Sequence, residues 1–300
     1  MKVLVTGSAG RVGRAIYIHL LRSSHQVVGV DRTPCSTADF VGDIRDTALL
    51  SQALVGVDAV VHTAALHAPH VGRLPDSEFQ SINVDATITL AQMALQQGIK
   101  RFVLTSTTAL YGYASRQSGQ AAWIDETVTP QPRTIYHRSK IAAEQLLAEL
   151  AANSDMTVIA LQMSRCFPEP VDQMAVYRLN RGVDARDAAS AHALALTAPL
   201  QGFHRLIISG QTPFTPAQCQ ALYCDATAVI HRAAPEVAHL FAQRGWSLPV
   251  RLDRVYDASA ACRLLGWQPQ YGATSVVQLF DMRLAEVLPS LAYGEETVLD

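Results

Sequence analysis

Short apolar runs alternate with longer amphipathic stretches through the first half of the chain. The runs predict five strands, at residues 3–5, 27–30, 59–61, 102–105 and 158–161. The stretches between them predict four helices, near residues 12–23, 47–54, 82–97 and 136–152. Short apolar strands that alternate with helices are typical of a parallel sheet covered on both faces. We therefore expect an α/β fold with a doubly wound parallel sheet.

The regular alternation ends near Arg165. Beyond it the chain is interrupted by prolines, at positions 168, 170, 199, 213 and 216. We expect residues 1–165 to form the sheet domain and residues 166–300 to form mainly a smaller, irregular substrate-binding domain. Segments near 178–210 are expected to return to the sheet.

Composition and charge narrow the possible functions. Apolar residues make up 49% of the chain, which argues against disorder, and a net charge of −2 without a basic run argues against nucleic-acid binding. No apolar run approaches the roughly 20 residues of a membrane span. Met1-Lys2 leads directly into a strand rather than a signal peptide, and the five cysteines include no C-x-x-C pair. We expect reduced thiols and a cytoplasmic protein.

A glycine-rich turn joins the first predicted strand to the first helix, with Gly7, Gly10 and Gly13 three residues apart. The first glycine permits a tight turn, the second lets the backbone approach phosphates, and the third lets the helix pack on the strand. The helix N-terminus adds N–H groups and a positive dipole end. The turn therefore predicts a pyrophosphate site for a nucleotide cofactor, with Arg11 and Val12 among its contacts.

An acidic residue follows the second strand, where a dinucleotide's ribose is expected. Asp31 lies eighteen residues beyond Gly13, and its carboxylate can accept hydrogen bonds from the ribose hydroxyls of NAD. It would repel the 2′-phosphate of NADP, whereas the neighbouring Arg32 could bind that phosphate. We favour NAD and keep NADP as the alternative; an ordinary solvated turn acid is the other interpretation of Asp31.

A tyrosine and a lysine four residues apart, Tyr136 and Lys140, share one face of a predicted helix. A free tyrosine has a pKa of about 10, and a nearby cation favours its phenolate. We expect Lys140 to lower the pKa of Tyr136. The pair then predicts removal of an alcohol proton by Tyr136 while a hydride leaves the same carbon for a nicotinamide.

Further motifs follow in order along the chain: Gly42-Asp43-Ile44, His62-Thr63-Ala64-Ala65, Asn83-Val84-Asp85-Ala86-Thr87 and Leu264-Leu265-Gly266-Trp267-Gln268-Pro269. With the glycine turn and the Y-x-x-x-K pair, they resemble the extended short-chain dehydrogenase/reductases, the NAD-dependent epimerase/dehydratase family. The resemblance implies a Rossmann-type domain in which Lys140 holds the nicotinamide ribose. The other cofactor contacts that it implies are Asp43, Ile44, Thr63, Ala64, Ala65, Asn83 and Thr105.

The run from Thr105 to Gly112 resembles the family segment that carries a catalytic hydroxyl. Counting back from Tyr111-Gly112 assigns that hydroxyl to Thr107, with Ser106 and Thr108 as alternatives. Thr107 would bond the substrate oxygen and help place it for proton transfer with Tyr136. The alternative interpretation is that these hydroxyls only form hydrogen bonds with backbone groups at the end of the strand.

Two departures from the family bear on the reaction. Dehydratases carry an acid pair where this chain has Thr108 and Ala109, so dehydration is disfavoured, and decarboxylation more weakly. Only ten residues separate Pro170 from Arg181, whereas sugar-nucleotide epimerases have a long segment that wraps the nucleotide. We expect an NAD-dependent oxidoreductase or epimerase for a small sugar-like or sugar-acid substrate; a nucleotide-sugar epimerase is the alternative.

The segment from Arg165 to Pro170, Arg-Cys-Phe-Pro-Glu-Pro, resembles its counterpart in uronate dehydrogenases, whose substrates are free sugar acids. Arg165, Arg178 and Arg181 cluster near this segment. Arginine forks suit carboxylates and phosphates, so we expect Arg165 and Arg178 to contact the substrate, with surface salt bridges as the equal alternative for each of the three. His67 is expected to face the substrate as well. The histidines at 62, 67 and 70 match no standard ligand spacing, so no metal site is expected.

Two interpretations from other classes stay open: a non-catalytic NAD(P)-binding redox sensor or regulator, and an interaction subunit. The family also implies a homodimer through the helices after Asn83 and Tyr136. Leu146, Leu147 and Leu150 on the second of these helices are consistent with such a packed face, although burial within one subunit explains them equally well.

Overall fold

A computed structural model describes residues 1–116, 118–284 and 287–290. The nine strands in these ranges are β1 Lys2–Thr6, β2 Gln26–Asp31, β3 Phe40–Val41, β4 Ala59–His62, β5 Arg101–Thr107, β6 Ala122–Ile124, β7 Thr157–Met163, β8 Phe203–Ile208 and β9 Arg254–Tyr256. The helices are α1 Arg11–Arg22, α2 Thr47–Ala53, α3 Asp76–Phe79, α4 Ala86–Gln96, α5 Ile135–Ala152, α6 Val171–Asn180, α7 Ala185–Thr197, α8 Cys219–Cys224, α9 Ala226–Ala233, α10 Pro235–Arg244, α11 Ser259–Leu265 and α12 Ala273–Asp281.

Seven strands form one parallel sheet in the order β3-β2-β1-β4-β5-β7-β8. The chain leaves the sheet centre in both directions, since β1 pairs with β2 on one side and with β4 on the other. Such a reversal opens a crevice beyond the carboxyl ends of the strands. The predicted doubly wound parallel sheet is confirmed, and its crevice is the place to look for a ligand.

Both faces of the sheet are buried, which explains why its strands are apolar throughout. Val3 and Val5 of β1 join the core that α1, α7 and α11 cover, whereas Leu4 joins the core beneath α2, α4 and α5. Successive side chains of a strand point to opposite faces, so a strand covered twice needs apolar residues at every position.

The helix predicted over 82–97 differs in its first part. The segment Gln80–Asp85 winds as a wider π-turn before α4 begins at Ala86. Such turns are rare and are frequent at functional sites. Here the turn carries Asn83 into the interior, with only 1% of its surface exposed.

The part of the chain beyond Arg165 is more regular than the prolines suggested. Helices α6, α8, α9, α10 and α12 enclose a separate apolar core, beside the short parallel pair β6–β9. Helix α7 packs on α1, and β8 adds the last strand to the main sheet. In the described ranges, no helix has the length and apolarity needed to span a membrane.

Candidate active site

A cleft of about 850 Å³ runs along the carboxyl ends of the strands. One end is bordered by the glycine turn, Asp31 and Asp43, and the other by residues from the end of β7, from β9 and from the position after α6. Most of the residues predicted to bind cofactor or substrate line this single cleft, and Asn83 and Arg178 do not.

The glycine turn forms a tightly packed floor at the sheet centre. Gly7 has a φ of +69°, and its N–H donates to the carbonyl of Val30 at 2.8 Å. A Cβ on Gly13 would lie 2.1 Å from the Gly7 carbonyl oxygen, so only glycine fits there. The residue before α1 is Gly10, so no side chain caps this helix, and its first N–H groups border the cleft. The turn therefore suits a phosphate group.

The carboxylate of Asp31 is held in place at the end of β2. One oxygen accepts from the Ala9 N–H at 3.0 Å, and the other accepts from the Thr33 N–H at 2.8 Å. Each oxygen keeps a further lone pair for a hydroxyl donor from the cleft, which Arg32 also lines. The arrangement suits the ribose of a dinucleotide.

Asp43 and Ile44 border the same end of the cleft. Arg45 donates to the Asp43 carboxylate at 2.7 Å, and this hydrogen bond holds the pKa of Asp43 below its usual value. Arg45 donates three hydrogen bonds to this carboxylate in all, which fixes it at the end of the cleft where the cofactor is expected.

The middle wall of the cleft follows β4. Thr63 donates through Oγ1 to the carbonyl of Thr6 at 2.6 Å, and Thr63, Ala64 and Ala65 all line the cleft as predicted. The small side chains leave room for a ligand to lie along the strand ends.

Asn83 is an exception, since it does not line the cleft. Its side chain is buried and binds both backbone groups of Leu66, accepting from N at 2.7 Å and donating to O at 2.9 Å. It also donates to the Ser139 hydroxyl at 3.0 Å. The predicted direct cofactor contact is therefore corrected: Asn83 holds the loop before His67 against the helix that carries Lys140.

Thr107, Tyr136 and Lys140 meet at the cleft's centre. Thr107 is the last residue of β5, and its hydroxyl faces the phenol of Tyr136 at the start of α5. Lys140 follows one turn later, and its Nζ donates to the Thr105 carbonyl at 2.8 Å. The hydroxyl of Thr134 caps α5 by accepting from the His137 N–H, which fixes the first turn that carries Tyr136.

Burial dominates the protonation of this group. It raises the pKa of Tyr136, and the hydrogen bond from Thr107 opposes that rise. Burial lowers the pKa of Lys140 to about 8, and the charge of Glu144 opposes that fall. The expectation that Lys140 lowers the pKa of Tyr136 is not met, because the ammonium is directed at the Thr105 carbonyl.

The direction of the side chains at the end of β5 distinguishes Thr107 from Ser106 and Thr108, the alternative positions for the predicted hydroxyl. Ser106 points to the opposite side of β5, where its hydroxyl donates to the buried carboxylate of Glu144 at 2.5 Å. Gln162 at 3.1 Å and Arg205 at 2.7 Å complete the partners of that carboxylate. Thr108 is buried in the following turn, with 4% of its surface exposed. Of the three hydroxyls, only that of Thr107 contacts the tyrosine.

The buried Glu144 was not singled out from the sequence. Its signal was a carboxylate on the buried face of α5, between Ala143 and Leu147 and one turn beyond Lys140. An acid at such a position requires buried donors.

The other end of the cleft combines aromatic and basic groups. The His67 ring is stacked with that of Phe167, with centroids 6.0 Å apart and planes 20° apart. The guanidinium of Arg165 lies 5.7 Å from the same ring and is paired with Glu169. Burial lowers the pKa of His67, with a smaller effect from His70. His67 and Arg165 thus line the cleft as predicted.

Arg178 does not reach the cleft, which corrects the predicted substrate contact. Only 3% of its surface is exposed, and its Nη2 contacts the Asp184 carboxylate at 3.3 Å. Burial lowers the pKa of Arg178. Arg181, the residue that follows the last turn of α6, lines the cleft instead.

Several further lining residues come from distant segments. They include Ser115, Arg116, Arg133, Arg254 and Tyr256. Arg254 donates to the Ser115 hydroxyl at 2.8 Å and is paired with Asp253. No local motif marks these positions, and two of them, Arg254 and Tyr256, are carried by β9, which pairs with β6.

No set of three potential metal-binding side chains is found in the described ranges. His62 lies buried between the hydroxyls of Thr6 and Thr87, at 2.7 and 2.8 Å. Its nitrogens are therefore used within the core.

The chain was compared with known families and proteins. A family model described as "NAD dependent epimerase/dehydratase family" matches residues 3–174. A UDP-glucose 4-epimerase of Streptomyces lividans is 27% identical over 256 residues, which cover 81% of this chain and 71% of that protein. A 3-beta-hydroxysteroid dehydrogenase of Mycolicibacterium neoaurum is 30% identical over 176 residues, which cover 54% and 47%. The chain thus spans about half the length of the latter relative.

A crystal structure of a short-chain dehydrogenase/reductase superfamily protein from Agrobacterium tumefaciens with bound NAD superimposes with a TM-score of 0.70. The superposition covers 95% of this chain and 99% of that one, at 20% identity. At that identity the likeness establishes the fold.

Proposed function

Because the chain belongs to the NAD dependent epimerase/dehydratase family, we propose that it transfers a hydride between NAD and a secondary alcohol carbon of a small sugar-like substrate. The observation that carries this proposal is the position of Thr107, Tyr136 and Lys140 in the same cleft as the glycine turn. A cofactor bound along the turn and β4 would present its nicotinamide end to this trio.

The residues present suit NAD. The turn at Gly7, Gly10 and Gly13 offers N–H groups for the pyrophosphate, and a Cβ at Gly13 would collide with the Gly7 carbonyl and displace the turn. Asp31 is oriented toward the ribose hydroxyls, and Asp43 with Ile44 would border the adenine. The remaining contacts would be Arg11, Val12, Thr63, Ala64, Ala65, Thr105, Tyr136 and Lys140.

The chain's own residues account for the proton in the reaction. NAD, when bound, supplies the acceptor for the hydride. Tyr136, as phenolate, accepts the proton of the substrate hydroxyl as the carbon becomes a carbonyl, and Thr107 donates a hydrogen bond to the same oxygen. Lys140 would hold the nicotinamide ribose. In the reverse direction Tyr136 returns the proton.

We propose that residues 1–165 mainly bind the cofactor and that the segment after Arg165 mainly binds the substrate. His67, Thr107 and Arg165 are the proposed substrate contacts. Dehydration remains disfavoured, because the position after the buried Thr108 is an alanine and supplies no acid. The sugar-like substrate class is supported by the printed activities of relatives such as the epimerase of Streptomyces lividans.

A nucleotide-sugar epimerase is the second candidate. A side cavity of about 360 Å³ shares Arg181 with the cleft, and it also contains Arg251 and Ser247. Such a cavity offers room beyond a monosaccharide. The short connection after Pro170 favours the smaller substrate.

We further propose a cytoplasmic homodimer. Ile88, Met93 and Leu95 on α4, with Leu146 and Leu150 on α5, are only partly covered within one chain. All five cysteines are unpaired, as in a reducing compartment. Light scattering that returns the mass of a single chain would reject the dimer.

The main test is a panel of free sugars, sugar acids and sugar nucleotides incubated with NAD or NADP, with NADH and product both recorded. Net NADH formation identifies a dehydrogenase, whereas epimer formation without net NADH identifies an epimerase. Tight NAD binding without turnover across a broad alcohol and aldehyde panel would favour the redox sensor. Failure to bind either nicotinamide cofactor would favour the interaction subunit.

A further inference from the structure

The substrate half of the cleft is strongly basic. Five arginines line it, at positions 116, 133, 165, 181 and 254. Two acids, Glu169 and Asp253, contact members of this group. We propose, building on the hydride-transfer function above, that the substrate carries an acid group and that Arg181 binds it.

Two of the five arginines are already engaged. Arg165 is paired through Nε with Glu169, four residues later. Arg254 uses Nε and Nη2 for Asp253 and Nη1 for the Ser115 hydroxyl. Both guanidinium groups are paired with acids of the protein, so they attract the acid group of a substrate less strongly, and Arg165 remains a proposed contact for another part of the substrate.

Arg181 differs in having uncommitted donors. Its nearest acid contact is the Asp253 carboxylate at 3.8 Å, beyond hydrogen-bond distance. Its side chain donates no hydrogen bond to any residue within the described ranges, and 29% of it is exposed. A guanidinium with free donors can form bidentate hydrogen bonds with a carboxylate or phosphate.

The position of Arg181 is fixed before any ligand arrives. Its guanidinium lies 4.3 Å from the centroid of the Tyr177 ring. Its backbone N–H donates to the Tyr177 carbonyl at 2.8 Å, and its carbonyl accepts from the Arg165 N–H at 3.0 Å. Gly182 follows closely, since a Cβ there would lie 3.0 Å from the same Tyr177 carbonyl. Little freedom would be lost on binding an anion.

The two remaining arginines are weaker candidates. Arg116 and Arg133 are exposed on the cleft rim, and Arg133 lies over the Tyr113 ring at 5.6 Å. Charges that are open to water are screened more strongly than a partly buried one. Arg181, on the wall shared with the side cavity, is therefore the residue assigned to the acid group.

The test uses matched series of hexuronates, hexoses and hexose 6-phosphates with NAD. We expect the wild type to prefer one acidic series to the neutral hexoses by at least about 10-fold in kcat/KM. Arg181→Met should raise KM for the acid by about 10- to 100-fold, with kcat changed less than about twofold. The KM of Arg181→Lys for the acid should lie between those of the wild type and Arg181→Met, because lysine keeps the positive charge but cannot form the bidentate hydrogen bond. Preference for uronate or phosphate identifies the acid.

The matched control is Arg244→Met. Arg244 also lies over an aromatic ring, Trp246 at 5.6 Å, and pairs with one acid, Asp281 at 2.6 Å, but it lies outside the cleft. It should leave KM unchanged. Equal use of hexoses and acids, or an unchanged KM in Arg181→Met, would overturn the proposal.

Calorimetric binding of the same compounds to the NAD-loaded protein separates the two proposals. Binding of an acid to the wild type but not to Arg181→Met, without turnover, retains the anion site and rejects hydride transfer. Turnover of a neutral sugar without preferential acid binding retains hydride transfer and rejects the anion site. No acid binding to the wild type rejects the site outright.

Discussion

The ammonium of Lys140 donates a hydrogen bond to the carbonyl oxygen of Thr105 at 2.8 Å. Thr105 lies two residues before Thr107, whose hydroxyl contacts Tyr136. The end of one strand therefore positions both the lysine and the tyrosine of α5. The arrangement of these three residues depends on the packing of this helix against β5 more than on the helix alone.

Replacing Tyr136, the proposed acid/base, should lower kcat and leave NAD binding nearly unchanged. In Tyr136→Phe, loss of the phenol should reduce kcat by about 10²- to 10⁴-fold, the usual contribution of a positioned acid or base. The Kd for NAD, measured by fluorescence titration, should stay within about threefold. Tyr113→Phe is the control, because Tyr113 is an exposed rim residue. Unchanged turnover in Tyr136→Phe would reject the assignment.

The two neighbouring hydroxyls on β5 should give opposite phenotypes. Thr107→Ala removes the partner of Tyr136, and we expect kcat to fall by about 10- to 100-fold, with Thr107→Ser retaining most activity. Ser106→Ala takes a donor from the buried Glu144, and we expect a loss of about 1–3 kcal/mol in the free energy of unfolding. Steady-state kinetics and urea unfolding of both variants decide between them. A larger kcat loss in Ser106→Ala would reverse the assignment.

The buried lysine should make stability depend on alkaline pH. Its pKa is about 8 in the folded protein, compared with 10.5 as the ordinary value. Between these values the unfolded chain binds more protons, so the folded state gains stability as pH rises. At about 1.4 kcal/mol per pH unit, burying charged Lys140 costs about 3 kcal/mol below pH 8.

Lys140→Met should therefore unfold with a higher free energy than the wild type at pH 7. The advantage should shrink steadily between pH 8 and 10.5, which guanidinium titrations at several pH values would record. A difference between the two proteins that does not change with pH would show that Lys140 keeps its ordinary pKa.

Much of the fold was predictable because its signals are local. Each strand of the first half is a compact apolar run. Glycine is required at position 13 because of one close contact with the Gly7 carbonyl. The roles of Asn83 and Arg178 were not predictable in this way. Both are polar residues whose burial depends on partners brought together by the fold, Leu66 for the first and Asp184 for the second.

The substrate wall was the least predictable part of the site. Arg165 and Arg181 belong to one segment, but Arg254 reaches them from β9, far along the chain. Spacing along the sequence therefore indicated an arginine cluster without saying which members face the cleft. Arg178 is buried within α6, whereas Arg181 follows the end of that helix and lines the cleft.

The choice of cofactor should depend on Asp31. Its carboxylate, fixed by Ala9 and Thr33, would repel the 2′-phosphate of NADP. We expect the wild type to bind NAD at least about 10-fold more tightly than NADP. Asp31→Ala should reduce this preference to near parity, since Arg32 remains available for the phosphate. Calorimetric titration with both cofactors is the measurement, and Arg32→Ala in the Asp31→Ala background should weaken NADP again. If Asp31→Ala kept the full preference for NAD over NADP, residues other than Asp31 would be responsible for that preference.

Three glycine-to-alanine variants should form a graded series. At Gly13 the new Cβ would lie 2.1 Å from the Gly7 carbonyl oxygen, a backbone atom that cannot yield without moving α1. We expect a loss of about 3 kcal/mol in the free energy of unfolding and at least about 10-fold weaker NAD binding. At Gly10 the same carbonyl is 3.2 Å from the Cβ position, so both effects should be smaller.

At Gly272, the residue before α12, no atom lies within 4 Å of the Cβ position and φ is −80°. Alanine fits there without strain and restricts the unfolded chain, so Gly272→Ala should be neutral or stabilising by up to about 1 kcal/mol. Thermal unfolding with and without NAD separates the effects, because only Gly13→Ala and Gly10→Ala should lose the cofactor-induced rise in Tm. A full rise in Gly13→Ala would mean that the turn tolerates a side chain and that the cofactor does not bind against it.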